Sequence, residues 1–478
     1  MKIVIAGGSA GGMFASLILA RAGHEVLLLE RESLEAAPDV EAAASVAFRT
    51  GAPQIVQPHI IMARCRELLI EHLPDVYRNL LAAGVAEAPL WTQMAPSLAD
   101  KTPRPGDERF TLLMTRRSTI DWVLRKMVAV EPGVTVRSGT RVAGLLVRSG
   151  SPPHVTGVRI REGDIAHEIA ADLVVDATGC RTPIDAWLKE IGAPPSHVQR
   201  AECGIAYFSR NYRSRPGATA PGLPTTRILA GLNEFNAGIW GADNGKMQMA
   251  VAPLAMDHRF RTAKSPSVFT AVLRTVPTFS AWLDTLEPIT DVFAMGGLHN
   301  TLRRLVVEGG APVATGLHPL GDSVCTTNPT LGRGLSLALW EAVRLRDTLH
   351  ESGEDWRAQS MAMDAFVGEH IAPFYEEQAE VDRGRMAMLR HNIFGAETPN
   401  GASPASERVT FAEVRTAAQF DPIAFRALWR IHGMIEKPLE VYSDPEVVAR
   451  TREALAQNRE RLAMAQPTRN ELNAALQV

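Results

Sequence analysis

The chain has 478 residues, 46% of them hydrophobic and 22% charged, with a formal net charge of −3. That length accommodates two or three domains, the composition is that of a globular protein in water, and the near-neutral balance gives no reason to expect a nucleic-acid partner. No uninterrupted apolar run approaches a membrane span, and Cys65, Cys180, Cys203 and Cys325 are scattered without metal-ligand spacing, so neither a membrane segment nor a metal is expected.

The predicted elements begin at once. Residues 3–5 form a short apolar run, as a buried parallel strand requires, and Gly7, Gly8, Gly11 and Gly12 follow. Residues 13–22 carry apolar side chains at helical spacing, and Gly23 ends that helix. Residues 26–29 predict a second strand with Glu30 at its end. This is the start of a dinucleotide-binding βαβ unit. Glycines let the backbone approach a pyrophosphate, the helix N-terminus offers free N–H groups, and the acid takes a ribose hydroxyl. Glu30 follows Gly12 by 18 positions, close to that spacing, while Ser9 stands where the middle glycine of G-x-G-x-x-G is usual. A strand that follows Met1 so closely leaves no room for a secretory leader, which points to a cytoplasmic protein.

A loop-rich segment follows Glu30. The spacing predicts a helix over 60–73, a surface loop over 98–109, a strand over 110–114 and a helix over 120–130. Runs at 134–136, 142–147 and 155–160 predict a small antiparallel meander carried on the parallel core. ADLVVDATG at 171–179 returns to a buried strand that ends in glycine. Over 202–310 strand-like runs at 204–208, 238–240 and 247–251 alternate with turns, and Asp243-Asn244-Gly245 is a hairpin signal. A helical pattern returns at 334–349 and continues to the end, broken by a flexible linker at 398–408. The expected fold is therefore α/β: a Rossmann-like dinucleotide domain, a second, mainly antiparallel sheet on the substrate side, and a helical C-terminal region. The expected boundaries are 1–200 and 311–360 for the two parts of the first domain, 201–310 for the sheet domain and 361–478 for the helices.

Two later segments narrow the cofactor. Asp176-Ala177-Thr178-Gly179 ends a strand, and GLHPLGDSVCTTNPTLGRGLSLALWEA at 316–342 runs from a strand through Gly321-Asp322, Pro329, Gly332 and Gly334 into a helix. An acid at a strand end suits the hydroxyls of a ribityl chain. A glycine-rich helix N-terminus suits the negative charge that a reduced flavin carries near N1.

Together these segments resemble the FAD-dependent monooxygenases of the para-hydroxybenzoate hydroxylase fold. Within that group the chain is most similar to the bacterial branch of polyether epoxidases such as the lasalocid epoxidase, and more distantly to geranylgeranyl reductases. The resemblance covers roughly residues 1–350 and rests on the Gly-rich start, RTGAPQIVQPH at 49–59, TRRSTIDWVLR at 115–125, VVDATG at 174–179, GIAYFSRNYR at 204–213 and the Gly321-Asp322 segment. It implies that Gly7, Ser9, Ala10, Gly11 and Gly12 meet the FAD pyrophosphate and that Glu30, with Arg31, binds the adenosine ribose. It further places Arg49 and Arg117 along the cofactor, Asp322 on the ribityl chain, and Pro329, Gly332, Arg333, Gly334 and Leu335 beside the pyrimidine ring. Where the family often has His and Asn, this chain has Cys325 and Ser336.

Other residues have plainer readings. His59 and His318 are lone histidines, which are more often structural than catalytic. Cys325 lacks a C-x-x-C partner and is expected to be a small buried residue. Of Tyr207, Phe208, Trp240 and Met249, alternation along strands should send half to a core and half to a pocket.

The implied function is a flavin-dependent monooxygenase that inserts one oxygen atom from O₂ into an apolar organic substrate, by hydroxylation or epoxidation, through a flavin C4a-hydroperoxide. No catalytic side chain stands out, and the hard chemistry would belong to the flavin. Electrons would come from NADH or NADPH; no second complete Gly-rich βαβ unit is visible, which suits transient nicotinamide binding or a partner flavin reductase. The absence of a W-x-W-x-I-P segment counts against a flavin halogenase. The alternatives are an FAD-dependent reductase or dehydrogenase acting on a prenyl-type double bond, and a non-catalytic dinucleotide-binding redox sensor.

Overall fold

The computed structural model describes residues 1–307, 310–397, 407–458 and 466–478. Five parallel strands form its central sheet, in the order Leu317–Pro319, Leu173–Asp176, Lys2–Ala6, Glu25–Glu30 and Val134–Ser138. The first strand is central because it is apolar on both faces. Ile3 and Ile5 pack into a helical layer built from Ala10–Arg21, Ala63–His72, Arg117–Val130 and Gly334–Ser352. Val4 and Ala6 point the other way, into a core shared with Val142, Val155 and Ile160. The sheet is therefore sandwiched between helices and a three-stranded antiparallel meander.

That meander differs from expectation in its membership. The run at 134–136 pairs with Glu25–Glu30 in the parallel sheet, as strand Val134–Ser138. The meander is Arg141–Arg148, His154–Glu162 and Ile165–Ala170. Its third strand is exposed along most of its length, so it carries little of the apolar alternation that identifies a strand in sequence. Likewise, Ile60–Ile61 is a short strand paired with Leu112–Met114, and the helix begins only at Ala63. The helices not expected from sequence include Val40–Ser45 after the second strand, Pro74–Ala82, Ile184–Glu190, Pro266–Arg274 and Pro277–Thr285.

The second sheet is antiparallel. Its path is Arg227–Gly231, Phe235–Gly241, Met247–Pro253, Tyr207–Ser214 and Leu286–Pro288, with Phe293–Met295 also paired to Tyr207–Ser214. The Asp243-Asn244-Gly245 turn joins two of these strands, with Asn244 at φ 53°. Two helices, Pro266–Arg274 and Pro277–Thr285, cover one face through Phe269, Val272 and Phe279. Helices dominate from Gly334 onward. Most of the linker expected at 398–408 lies outside the described residues. Among the described residues no helix is long and apolar enough to cross a membrane.

Candidate functional site

A cavity of about 2320 Å³ runs between the parallel sheet, the antiparallel sheet and the C-terminal helices. A pocket for one drug-sized ligand occupies roughly 300–1,000 Å³, so this space is large enough for a dinucleotide and a second molecule together. Of the cofactor residues expected from sequence, all but Gly12 line it.

The glycine turn forms one end. Gly7 takes φ 106°, and a Cβ there would lie 2.4 Å from the Ala177 carbonyl oxygen, so only glycine fits between neighbouring strand ends. The helix starts at Ala10, three residues earlier than its apolar spacing suggests. Ser9 is its N-cap, yet the hydroxyl makes no capping bond and instead accepts from Arg117 Nη2 at 3.3 Å. The first-turn amides are thus left for another acceptor, as an anion site at a helix N-terminus requires. Gly12 has a different task. A Cβ there would sit 1.8 Å from the Gly7 carbonyl oxygen, so this glycine allows strand and helix to touch and does not face the cavity.

Glu30 holds the turn in shape. One carboxylate oxygen accepts the Gly8 N–H at 2.7 Å, and the other accepts the Glu32 N–H at 3.0 Å. Arg49 lies against Glu30 at 3.1 Å and Glu32 at 2.9 Å, which binds the 49–59 segment to the end of the second strand. Arg31 also lines this end. Arg116 and Arg117 divide their roles. Arg116 is buried in ion pairs with Asp243 at 2.6 Å and Glu41 at 2.8 Å, whereas Arg117 lines the cavity and is anchored by Asp121 at 2.7 Å.

The second half of the cradle comes from the strand end after Leu317–Pro319. Asp322 lines the cavity, and its carboxylate accepts no hydrogen bond from any described residue. Burial raises its pKa above the usual carboxylate range, with Arg117 opposing that shift. A Cβ at Gly334 would meet only Asp322 Oδ1, at 3.8 Å. The N-terminus of Gly334–Ser352 therefore opens onto the space that this carboxylate faces, and it too lacks a side-chain cap. Gly332 reaches φ 69° in the preceding loop, beside Pro329 and Leu335. Arg333 lines the cavity as well, but its guanidinium is buried against Glu377 and donates to the Phe374 carbonyl at 2.8 Å, so its backbone rather than its side chain is left to face a ligand. Asp176 is likewise engaged, accepting from Thr178 at 2.6 Å and from Thr182.

The remaining candidates divide cleanly. His59 is on the cavity wall with Nε2 unpartnered, and burial together with Arg117 lowers its pKa to about 3, so it stays neutral. His318 lies outside the cavity; burial lowers it to about 4. Cys325 is buried, and burial pushes its thiol well up. Tyr207 and Trp240 face the cavity, while Phe208 and Met249 enter the core of the antiparallel sheet. Little in the sequence points to the far wall, where Arg415, Phe425, Trp429 and His432 come from helices after residue 410. The amphipathic pattern of Pro422–His432 was a visible signal, but it does not say that the apolar face meets a cavity.

No family model matches the chain. It is 26% identical over 467 residues to Protein Rv3254 of Mycobacterium tuberculosis, covering 92% of this chain and 91% of that one. Its fold is similar to that of the flavin-dependent brominase Bmp2, with a TM-score of 0.64 at 16% identity over 96% of this chain and 100% of that one. It is also similar to pqsL of Pseudomonas aeruginosa, a probable FAD-dependent monooxygenase (TM-score 0.56, 15% identity, 83% and 98% covered). A third likeness is to CmlS, a flavin-dependent halogenase (TM-score 0.61, 16% identity, 99% and 76% covered). At these identities the likeness is one of fold: a parallel Rossmann-like sheet with antiparallel sheets and C-terminal helices.

Proposed function

We propose that the chain is an FAD-dependent monooxygenase acting on a small organic substrate by hydroxylation or epoxidation. The observation that carries this reading is the unpartnered Asp322 carboxylate, set beside one uncapped helix N-terminus and sharing a cavity with another. A dinucleotide with a pyrophosphate and a polyol chain satisfies all three. The Ser9–Gly11 turn would hold the pyrophosphate, Glu30, Arg31 and Arg49 the adenosine end, Asp322 the ribityl chain, and the Pro329–Leu335 loop the ring. Bound there, FAD would supply the redox and oxygen chemistry.

The chain's own residues would bind, orient and keep out water. Tyr207, Trp240, Phe425 and Leu428 give the far wall an apolar surface against which a substrate can sit. His59, held neutral with its Nε2 buried, is not available as an acid. On this reading residues 1–200 and 311–360 form the FAD domain, 201–310 the substrate sheet and 361–478 the closing helices. NADH or NADPH, or a partner flavin reductase, would deliver the electrons.

The test is reconstitution with FAD followed by oxygen uptake with NADH and NADPH, with and without bromide. Bound flavin and substrate-dependent oxygen uptake that is indifferent to bromide support the proposal. Bromide-dependent product formation would make the protein a halogenase; anaerobic turnover alone would make it a reductase; absence of flavin binding would discard the cofactor assignment.

A further inference from the structure

The far wall of the cavity carries two half-buried arginines without an acid between them. Arg227 opens strand Arg227–Gly231, and Arg415 lies on helix Phe411–Ala417; both line the cavity. Arg415 donates to the Leu229 carbonyl at 3.1 Å, two residues along the strand from Arg227. Arg227 has His432 Nε2 at 2.5 Å and the Trp429 ring at 5.4 Å, and its own Nε is buried without a partner. Among the described residues no carboxylate forms an ion pair with either arginine. The acids that reach this part of the cavity are already engaged: Glu377 with Arg333 and Glu380 with Arg408.

This arrangement is costly unless something answers it. A cation moved out of water needs a counter-charge, and a guanidinium is rarely relieved by losing its proton. Here burial and the neighbouring Arg415 lower the pKa of Arg227 to about 9, and the same cations with burial keep His432 neutral. The protein gives these groups no acidic partner, and it leaves their donors facing a cavity. A ligand oxyanion would supply the missing charge through bidentate, charge-assisted bonds.

We propose that Arg227, Arg415 and His432 form an oxyanion subsite that holds the carboxylate of the organic substrate, so that the substrate is an acid with an apolar or aromatic body. The body lies along Trp240, Trp429 and Phe425. This rests on the flavoenzyme reading for the reaction, but the anion selectivity belongs to the chain alone and is measured without turnover.

The experiment titrates FAD-reconstituted protein with 1-pyrenebutyrate and with the neutral 1-pyrenebutanol, read by pyrene fluorescence. Hydrogen bonds to charged groups contribute roughly 1.5–3 kcal/mol, which corresponds to a preference of about tenfold to a hundredfold for the acid. Arg227→Gln and Arg415→Gln, singly and together, should each reduce that preference while leaving pyrenebutanol affinity unchanged. Arg227→Lys, which keeps a charge but not the fork, should retain part of it. Equal affinity of wild-type protein for the two probes overturns the proposal, whether or not the variants fold. So does a preference that survives the double variant, or displacement of pyrenebutyrate by NADPH but not NADH, which would give the subsite to the donor's phosphate. Flavin content after denaturation is read on the same samples. Protein that prefers the acid yet holds no flavin keeps the subsite and sinks the flavoenzyme reading instead.

Discussion

Asn328 donates through Nδ2 to Asp382 Oδ1 at 2.9 Å, and this bond fastens the loop before Gly334 to the long helix Ala372–Phe394. Asp382 is wholly buried and also receives Asn300 Nδ2 at 2.8 Å, Gln378 Nε2 at 3.1 Å and Arg385 at 2.9 Å. Asn300 in turn accepts the Asn328 backbone N–H at 2.6 Å, and Tyr207 donates to Asn328 Oδ1. Removing one member of a buried ion pair costs about 3–5 kcal/mol. Asp382→Ala should therefore lose stability on that scale in denaturant unfolding and weaken FAD binding, because the loop loses its anchor. Asp382→Asn, which keeps an acceptor but leaves Arg385 unpaired, should fall between. Wild-type stability for Asp382→Ala would show that the loop is held by its backbone alone.

The two glycines that follow Ala10 should behave oppositely. A methyl at Gly12 collides with the Gly7 carbonyl oxygen at 1.8 Å, and both partners are backbone. A methyl at Gly11 meets Leu320 Cδ2 at 3.4 Å and Ala338 Cβ at 3.5 Å, which are ordinary contacts. Gly12→Ala should cost about 3 kcal/mol, the upper part of the usual overpacking range. Gly11→Ala should leave the Tm of the flavin-free protein unchanged or slightly raised. Equal Tm values for the two variants would contradict the assignment of Gly12 to strand–helix packing.

Asp322 is the residue on which the cofactor placement turns. A charge-assisted bond to a ligand hydroxyl is worth roughly 1.5–3 kcal/mol, so Asp322→Ala should weaken FAD binding by about tenfold to a hundredfold. The fold should persist, because the carboxylate bonds to no described residue. An unchanged FAD dissociation constant would move the ribityl chain elsewhere.

Glu341 supplies a pH signature. It is fully buried on Gly334–Ser352 and accepts the Gly321 N–H at 2.5 Å. Burial, helped by nearby Asp322 and opposed by the Gly321 bond, raises its pKa well above the carboxylate range, so the folded protein holds this proton. The unfolded chain releases it above about pH 4.3. The native state then binds more protons than the unfolded state, and the stability Glu341 contributes falls as pH rises from there towards its folded value. Glu341→Gln keeps an acceptor for Gly321 and cannot ionise. Its Tm, measured from pH 4.5 to 8 with FAD saturating, should gain on wild type as pH rises. Parallel curves would show that Glu341 is ionised in the folded protein.

The legible parts of the molecule were those written in local pattern. Ile3 to Ile5, the glycines and Glu30 identify the first βαβ unit because strand, turn and acid are adjacent in sequence, and Asp243-Asn244-Gly245 declares its hairpin for the same reason. The run at 134–136 is legible as a strand, but its neighbours in sequence place it in the meander, since pairing with Glu25–Glu30 is a long-range choice that neither segment records. Ile60–Ile61 reads as part of a helix in the sequence because two apolar residues fit either period. The resemblance places Arg333 beside the pyrimidine ring, and only the position of Glu377, 44 residues on, shows where its charge goes. The wall made by Arg227, Arg415 and His432 joins three distant segments, and no spacing along the chain connects them.

The orientation of the whole cofactor rests on Gly334. It is the first residue of Gly334–Ser352, and a side chain there would meet open space except for Asp322 Oδ1 at 3.8 Å. A β-branched residue in a first helical turn costs under about 1 kcal/mol in propensity, so Gly334→Val should fold. Its two methyls would occupy the space beside the helix N-terminus, where on the proposed placement the negative charge of reduced flavin would gain roughly 0.3–1 kcal/mol, and up to about 2 when partly buried. The variant should keep FAD, reduce it more slowly with NAD(P)H and release more peroxide per oxygen consumed, because the ring is held away from the amides and water is less well excluded. Asp322→Ala should instead act on affinity, with near wild-type reduction once FAD is saturating. Stopped-flow reduction and peroxide yield, both at saturating FAD, separate the two. If Gly334→Val leaves both at wild-type values, the isoalloxazine is not beside this helix, and the cofactor would have to enter the cavity with its ends reversed.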